Sequence, residues 1–122
     1  MPEFESIVGR YFTMDVAGEP CRIYVEEAGT GIPLVCLHTA GSDARQFRHL
    51  LTDPGVTDRF RVIAFDLPWH GKSNPPAGYR DREYQLTTDL YKEIVLGFCN
   101  SYELTNPVIM GCSMGGRIVL HL

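Results

Sequence analysis

The sequence has 122 residues, 44% of them hydrophobic and 21% charged, which is typical of a globular domain and not of a disordered or fibrous chain. The net charge of -4 offers no basic face for phosphate groups, so we expect no nucleic-acid partner. The longest apolar runs, such as Leu34 to Leu37, are far shorter than the roughly 20 residues that span a bilayer, so we expect no membrane segment.

The N-terminus and the cysteines indicate the compartment. Glu3 and Glu5 stand where a secretory signal would have basic residues and then an apolar stretch, so we expect a cytoplasmic protein. The four cysteines include no C-x-x-C pair, which argues against a disulfide or a zinc site. Cys36 and Cys112 lie in strand-like or turn segments, where we expect buried thiols that behave as small apolar groups.

The first predicted elements form an antiparallel hairpin. Tyr11 to Val16 alternates and is rich in β-forming residues, and Arg22 to Glu27 alternates again. Between them, Ala17 to Pro20 has the chemistry of a tight turn.

Three short apolar runs follow, separated by two segments with helical spacing. Leu34 to Leu37, Val62 to Phe65 and Val108 to Met110 are continuous, as in strands covered on both faces. Ala44 to Leu51 and Leu86 to Asn100 predict the connecting helices. This alternation predicts an α/β fold with a parallel sheet and right-handed crossovers.

Each predicted helix has an apolar face. The first follows Ser42 or Asp43 as a candidate N-cap. In the first helix the apolar residues at helical spacing are Phe47, Leu50 and Leu51. In the second helix they are Leu86, Leu90, Ile94 and Phe98. The segment from Leu67 to Arg82, which is rich in proline and glycine, predicts a surface loop at the carboxyl end of a strand.

Residues 111 to 115 form a G-x-S-x-G motif around Ser113. The motif follows the strand that ends at Met110 and opens a segment, Gly116 to Leu122, that can be helical. Glycines on both sides of Ser113, at Gly111 and Gly115, let strand and helix approach while the hydroxyl projects, and Gly116 fits the same need. A plain glycine-rich turn is the alternative.

A second motif, His38 to Gly41, follows the strand Leu34 to Leu37. A turn of small residues at this position can offer a backbone N–H to a developing oxyanion, although a simple strand-to-helix loop fits the residues equally well. The residue after the nucleophile, Met114, is the expected source of a second N–H.

A third motif runs from Asp66 to Ser73. Gly71-Lys72-Ser73 matches the end of a phosphate-binding loop, but the glycine that such a loop needs five residues earlier is replaced by Asp66. We therefore expect no bound nucleotide. Separately, we expect the protein to use no cofactor.

Together the three motifs resemble the N-terminal signatures of the α/β-hydrolase superfamily, in the same order and at similar separations. The resemblance covers about Tyr11 to Leu122 and is strongest to small esterases, lactonases and carbon-carbon bond hydrolases. It implies that residues 1–122 are the N-terminal part of an α/β-hydrolase domain, incomplete after the nucleophile turn and without the cap and later strands.

The resemblance also implies roles for individual residues. Ser113 would be the nucleophile that attacks a small acyl substrate, with the N–H groups of Ala40 and Met114 as the oxyanion hole. Family members with an aspartate nucleophile are disfavoured, because serine occupies the turn. Structural roles at the site fall to His38, Gly41, Asp66, Gly111, Gly115 and Gly116.

The sequence departs from the family pattern at two positions. Thr39 stands where glycine is usual, and its hydroxyl would either add a donor or restrict the backbone. Trp69 stands where a small residue is common, and we expect it to pack against the protein more than to contact substrate.

No partner for Ser113 is evident in the sequence. A serine nucleophile needs a base, and in this fold the order is serine, acid, histidine. No carboxylate follows Ser113, His121 lies in the predicted helix, and His70 is a weak alternative. We therefore expect residues 1–122 alone to be inactive and to self-associate through an exposed sheet edge. A non-catalytic module and a cofactor-free perhydrolase or acyltransferase remain alternatives.

Overall fold

The computed structural model describes residues 1–122, which form a five-stranded mixed sheet with helices on both faces. The strand order across the sheet is β1-β2-β4-β3-β5. The strands are β1 (Val8–Val16), β2 (Glu19–Ala28), β3 (Ile32–Leu37), β4 (Phe60–Phe65) and β5 (Val108–Gly111).

The first two strands form the predicted hairpin, and both are longer than the sequence pattern indicates. The last pair in the register is Val16 and Glu19, so the loop has only two residues, Ala17 and Gly18. Both have positive φ angles, 51° and 82°, as a type I′ turn requires. This turn fixes the register of the whole hairpin.

The remaining strands form the predicted parallel sheet. β3 pairs in parallel with β4 on one side and with β5 on the other, and β2 joins the hairpin to β4 in the antiparallel direction. The carboxyl ends of β3, β4 and β5 therefore lie at one edge of the sheet. All three sequence motifs begin there.

Four α-helices accompany the strands: α1 (Arg48–Leu51), α2 (Pro54–Thr57), α3 (Thr88–Ser101) and α4 (Met114–Val119). The predicted single helix from Ala44 to Leu51 is wrong in detail. It begins as a 3-10 turn at Ala44–Phe47, capped by Asp43, and only then becomes α1. Asp53 and Pro54 then start α2.

Helix α3 begins two residues later than predicted, because the hydroxyl of Thr87 accepts a hydrogen bond from the N–H of Leu90 and caps the helix. Ile94 and Phe98 are buried as expected. The buried face also includes Tyr91 and Val95, which widen the apolar stripe beyond the predicted i, i+4 row.

The core has two parts, one on each face of the sheet. Alternate residues of the central strands point to opposite faces, so Val35 and Ile63 join the part under α3, whereas Leu34 and Val62 join the part under α1. The chain thus folds as three layers, α/β/α, and the predicted α/β fold is confirmed.

Strand β5 lies at the edge of the sheet, where Val108 is exposed and the other three residues are only partly buried. Cys36 is buried in β3, but Cys112 is exposed, so the prediction of two buried thiols is wrong for Cys112. The reason is that Cys112 follows an edge strand, where no further strand covers it. Self-association through this edge stays a prediction. None of the helices is both long and apolar enough to span a lipid bilayer.

Candidate active site

Ser113 lies at a sharp turn between β5 and α4. Its φ of 54° and ψ of -111° lie in a region that residues with a side chain rarely adopt. Its side chain makes no capping hydrogen bond to α4, and the residue is exposed. The backbone is therefore strained at an exposed residue that carries a hydroxyl group.

The glycines around Ser113 allow the turn because no side chain fits at two of the positions. A Cβ on Gly111 would collide with the Gly115 backbone, and a Cβ on Gly115 would collide with the backbone carbonyl of Leu37. Gly116 is less restricted, since its Cβ would lie 3.2 Å from the Gly111 carbonyl oxygen. The Cys112 N–H donates to the same Leu37 carbonyl at 3.1 Å, which ties the turn to β3.

Two backbone N–H groups near the turn are candidates for binding an anion. The N–H of Ala40 makes no hydrogen bond, and the residue is exposed. Met114 is the first residue of α4, so its N–H has no acceptor within the helix. Both groups lie at the carboxyl edge of the sheet, one in the loop after β3 and the other at the start of the helix after β5.

Gln46 connects these two loops. Its Oε1 accepts a hydrogen bond of 2.8 Å from the Thr39 N–H, and its Nε2 donates one of 3.4 Å to the Cys112 Sγ. Sequence reasoning missed this residue, because nothing in its neighbourhood marks it and both partners are distant in the chain. The Thr39 N–H is occupied by this contact, while a donor role for the Thr39 hydroxyl stays a prediction.

His38 is fully buried beneath the same loops. Its Nε2 accepts a hydrogen bond from the Leu67 N–H at 3.0 Å, and its Nδ1 lies 2.7 Å from the Thr39 carbonyl. The ring is therefore neutral, with the proton on Nδ1. Burial lowers the pKa of His38 and keeps this form. The Tyr91 hydroxyl donates to the His38 carbonyl at 2.6 Å.

His70 has the same arrangement in the loop after β4. Its Nε2 accepts from the Gly41 N–H at 2.9 Å, and its Nδ1 lies 3.0 Å from the Pro68 carbonyl. The rings of His38 and His70 are 5.0 Å apart. Both nitrogens of each ring are thus occupied by backbone groups, which leaves neither imidazole free to accept a proton from Ser113.

The two other histidines are exposed, and neither makes a hydrogen bond to Ser113. His49 lies on the surface of α1. His121 is eight residues beyond Ser113, about 12 Å along a helix axis, and its backbone N–H bonds to Ile118. The four histidines of the chain therefore include none that hydrogen-bonds to the Ser113 hydroxyl.

Asp66 organises the loop after β4. Its Oδ1 accepts from the Ala44 N–H at 2.7 Å and its Oδ2 accepts from the Lys72 N–H at 2.8 Å, so the carboxylate joins the loops after β3 and β4. Gly71 has a φ of 51°, and a Cβ there would collide with this carboxylate. The Ser73 hydroxyl donates to the Asp66 carbonyl at 2.7 Å and closes the loop.

Trp69 also has a positive φ, 70°. Glycine adopts this conformation without strain, whereas a residue with a large side chain does not. The indole stacks on Tyr84 with ring centroids 5.2 Å apart. No group of three or more His, Cys, Asp or Glu side chains is close enough to hold a metal ion.

Comparison with known proteins identifies a family with this fold. A family model described as the alpha/beta hydrolase fold matches residues 32–122. The magnesium-chelatase 30 kDa subunit of Rhodobacter capsulatus is 36% identical over 92 residues, which are 75% of this chain and 30% of that protein. The 2-hydroxy-6-oxononadienedioate/2-hydroxy-6-oxononatrienedioate hydrolase of Escherichia coli K12 is 29% identical over 119 residues, 95% of this chain and 40% of that protein.

Solved structures give the same result. The N-acyl homoserine lactonase AidH superposes with a TM-score of 0.74 at 30% identity, over 93% of this chain and 39% of the lactonase. A thermophilic esterase from Thermogutta terrifontis superposes equally well, with a TM-score of 0.74, over 90% of this chain and 39% of the esterase, at 24% identity, and so supports the fold. The chain spans 40% or less of the length of each of these relatives. With the family model covering most of the chain, these 122 residues belong to the alpha/beta hydrolase fold family.

Proposed function

We propose that this chain carries the nucleophile and the oxyanion-binding groups of a serine hydrolase. The observation that carries the proposal is the strained, exposed Ser113 at the turn between β5 and α4. Backbone strain of this kind persists only where surrounding structure enforces it, and it is concentrated at functional sites. The collisions that a side chain would cause at Gly111 and Gly115 supply that enforcement.

In the proposed reaction, the Ser113 Oγ attacks the substrate carbonyl carbon and forms a new C–O bond. The hydroxyl proton passes to a histidine base, and the carbonyl oxygen becomes an oxyanion. The N–H groups of Ala40 and Met114 donate hydrogen bonds to that oxyanion. Removing one donor of this kind typically lowers kcat by about 10²- to 10³-fold.

The tetrahedral intermediate then collapses. The bond to the leaving group breaks, and the histidine returns its proton to that group, which leaves an acyl-enzyme on Ser113. Water attacks the acyl-enzyme by the same route, with the histidine as base, and releases the acid. The roles assigned to His38, Gly41 and Asp66 are structural: they hold the loops after β3 and β4 through backbone hydrogen bonds.

The base and its acid partner would come from residues beyond those described. The ring nitrogens of His38 and His70 bond to backbone groups, and the exposed His49 and His121 make no hydrogen bond to Ser113. In this fold the order along the chain is serine, acid, histidine. The chain matches 40% or less of its relatives' length, so the relatives have ample sequence in which those residues can lie.

For the substrate we propose a small carboxylic ester, thioester or lactone, or a carbon-carbon bond next to a carbonyl group. Support comes from the names of the relatives, which include a lactonase and a hydrolase of an oxo-dienedioate. All of these substrates present a carbonyl carbon to the nucleophile and pass through the same oxyanion.

The test is the intact mass of the protein after incubation with a fluorophosphonate, which adds covalently to an activated serine. We expect one adduct on the product of the complete gene, its loss in Ser113→Ala, and its retention in Ser101→Ala, a serine at the exposed end of α3. Absence of an adduct from the complete product, or an adduct that survives Ser113→Ala, would refute the proposal.

The 122-residue chain should remain unmodified in the same assay, because none of its histidines hydrogen-bonds to the Ser113 hydroxyl. An adduct on Ser113 of this chain would mean that a base is supplied within these residues or by a second copy. That result would overturn the proposed source of the base, while it would support Ser113 as the nucleophile.

A further inference from the structure

The loop that carries Ala40 contains a four-residue turn from Thr39 to Ser42. The Ser42 N–H donates to the Thr39 carbonyl at 3.2 Å and closes the turn. Gly41, the third residue of the turn, has a φ of 79°, whereas Ala40, the second, does not have a positive φ. Among the common turn types, this combination belongs to type II.

A type II turn changes into a type I turn by rotation of one peptide group. The two types differ mainly in the ψ of the second residue and the φ of the third, the angles on either side of the central peptide. In this loop the central peptide joins Ala40 to Gly41. Its rotation by roughly 180° exchanges the directions of the Ala40 carbonyl and the Gly41 N–H, because the two lie on opposite sides of a trans peptide. The turn therefore has two alternative states.

The side chain of His70 contacts this central peptide. Its Nε2 accepts the Gly41 N–H at 2.9 Å. Its Nδ1 lies 3.0 Å from the Pro68 carbonyl, so Nδ1 carries the proton of the neutral ring and Nε2 is an acceptor only. A neutral His70 thus binds the N–H side of the central peptide, as the type II state requires.

The position of the His70 ring is fixed by its own surroundings. The residue is buried. Its backbone N–H donates to the Leu67 carbonyl and its carbonyl accepts from the Ser73 N–H, each at 3.0 Å. The Tyr84 ring packs edge-on against the imidazole, with centroids 5.5 Å apart. Since the ring is held in place, a change in its protonation acts on the turn.

A proton on Nε2 reverses the hydrogen bonding of His70. The imidazolium has donors on both nitrogens and no acceptor, so its Nε2–H then faces the Gly41 N–H, which is also a donor. Rotation of the central peptide removes this conflict, because it turns the Ala40 carbonyl, an acceptor, toward the ring. Histidine is the side chain whose charge ordinarily changes between about pH 5 and 8.

Two carboxylates lie beside Gly71, the residue that follows His70. Asp66 accepts a backbone N–H on each of its oxygens, as an ionised carboxylate does. Asp43 accepts a hydrogen bond of 2.8 Å from the Arg45 guanidinium, and this contact lowers the pKa of Asp43. The negative charge of the two groups favours a protonated imidazole nearby.

The other titratable groups that face His70 are uncharged. The His38 ring is 5.0 Å away, and burial lowers its pKa, so His38 takes up a proton at lower pH than an ordinary histidine. Burial raises the pKa of Tyr84 to about 12, so this group is a neutral hydroxyl. From α3, the Tyr91 hydroxyl donates to the His38 carbonyl. The charge that changes next to the turn is therefore that of His70.

We propose that His70 is a positioning residue that makes the oxyanion loop sensitive to pH. With His70 neutral, the turn is type II, and the Ala40 N–H is exposed and without another partner. With His70 protonated, the central peptide rotates, and the Ala40 N–H leaves the position that binds the oxyanion. The effect on catalysis rests on the proposed hydrolysis, whereas the rotation of the peptide does not.

The state of the turn is measured by NMR on the product of the complete gene, labelled in alanine and glycine. The Ala40 Hα lies closer to the Gly41 amide proton in a type II turn than in a type I turn, so the nuclear Overhauser effect (NOE) between them is strong only in type II. We expect a strong NOE at about pH 8 and its loss at about pH 5. His49→Gln removes an exposed histidine on α1 and should behave as the wild type does.

Two substitutions separate the contacts of the two ring nitrogens. In His70→Gln the amide oxygen replaces Nε2 as acceptor and does not titrate, so the NOE should be strong at both pH values. In His70→Asn the shorter amide keeps the contact with Pro68 but does not reach Gly41. The Gly41 amide hydrogen should then exchange about 10-fold faster at all pH values, the effect of one lost hydrogen bond. Circular dichroism verifies that each variant keeps its fold.

The link to catalysis is measured on the same protein with a short ester. In the wild type both His70 and the catalytic base must be neutral, so log kcat should fall with a slope of about 2 as the pH decreases. In His70→Gln only the base titrates, and the slope should be about 1.

Three results would overturn the proposal. They are an NOE that does not depend on pH in the wild type, a pH-dependent NOE that persists in His70→Gln, and equal slopes of log kcat in these two proteins. A pH-dependent NOE in a protein that takes up no fluorophosphonate would refute the proposed hydrolysis and support the rotation of the peptide between Ala40 and Gly41.

Discussion

The side-chain amide of Gln46 donates a hydrogen bond from Nε2 to the Cys112 Sγ, next to the candidate nucleophile. The Oε1 of the same amide accepts a hydrogen bond from the N–H of Thr39, the residue before Ala40. One side chain thus sets the separation of the two loops from which the proposed oxyanion donors come.

Gln46→Ala should therefore loosen the loop after β3. We expect the Thr39 amide hydrogen to exchange faster with solvent in this variant, as measured by hydrogen exchange and NMR. Gln46→Glu keeps an acceptor for Thr39 but has no donor for Cys112, and it should preserve much of the protection. Gln85→Ala, an exposed glutamine elsewhere, is the control. Unchanged exchange at Thr39 in Gln46→Ala would contradict the assignment.

If Ser113 is the nucleophile, the same substitution should also affect catalysis in the product of the complete gene. Misplaced oxyanion donors weaken transition-state binding, so Gln46→Ala should lower kcat about 10-fold and leave KM nearly unchanged. Steady-state kinetics on a short ester measures both parameters. A rise in KM at constant kcat would instead indicate a role in substrate binding.

Asp66→Ala should destabilise the fold strongly. The substitution removes the acceptors of the Ala44 and Lys72 N–H groups, and an unsatisfied buried donor costs about 1 to 3 kcal/mol. We expect a loss of about 3 kcal/mol in the free energy of unfolding, measured with urea. Asp89→Ala, an exposed carboxylate in the first turn of α3, is the control and should cost less than about 1 kcal/mol. Equal effects would argue against a structural role for Asp66.

Gly115→Ala should be much more destabilising than Gly116→Ala. The added Cβ at position 115 meets the backbone of β3, which can move only with the sheet, whereas at 116 it lies 3.2 Å from a carbonyl oxygen. We expect about 3 kcal/mol for the first and about 1 kcal/mol or less for the second, from thermal or denaturant unfolding. Similar losses in the two variants would mean that the turn relaxes to admit a side chain.

Stability should decrease as the pH falls below about 6.5, the ordinary pKa of histidine. The pKa of His38 is lowered in the folded protein because the ring is buried, so the unfolded chain binds its proton first. The stabilisation is complete above the unfolded pKa and is lost as the pH falls toward the folded pKa. Unfolding by urea at several pH values measures the slope. In His38→Gln the slope should be smaller, and an unchanged slope would exclude His38 as its source.

Local patterns in the sequence predicted much of the fold and of the turn at Ser113. The hairpin, the parallel strands and the G-x-S-x-G turn each depend on residues close together in the chain, such as Ala17 with Gly18 or Gly111 with Gly115. The backbone conformations that these residues require can be predicted from the residue types alone.

Contacts between distant segments could not be predicted in the same way. Gln46 meets Cys112, and His70 meets Gly41, only because β3, β4 and β5 are neighbours in the sheet. The split of the first helix into a 3-10 turn and α1 was also not predicted, although its cap, Asp43, was among the candidates. The left-handed backbone of Trp69 was not predicted because a bulky residue rarely adopts it.

The contact between Gly115 and the Leu37 carbonyl has a consequence for how related sequences can diverge. The partner in β3 is a backbone group and a Cβ, which every residue except glycine presents, so position 37 can exchange one apolar side chain for another. Position 115 has no such freedom, because any side chain there meets the same atoms. In related sequences we therefore expect the residue at position 37 to vary among apolar types and the glycine at position 115 to stay unchanged. We also expect no pairs of compensating substitutions at the two positions.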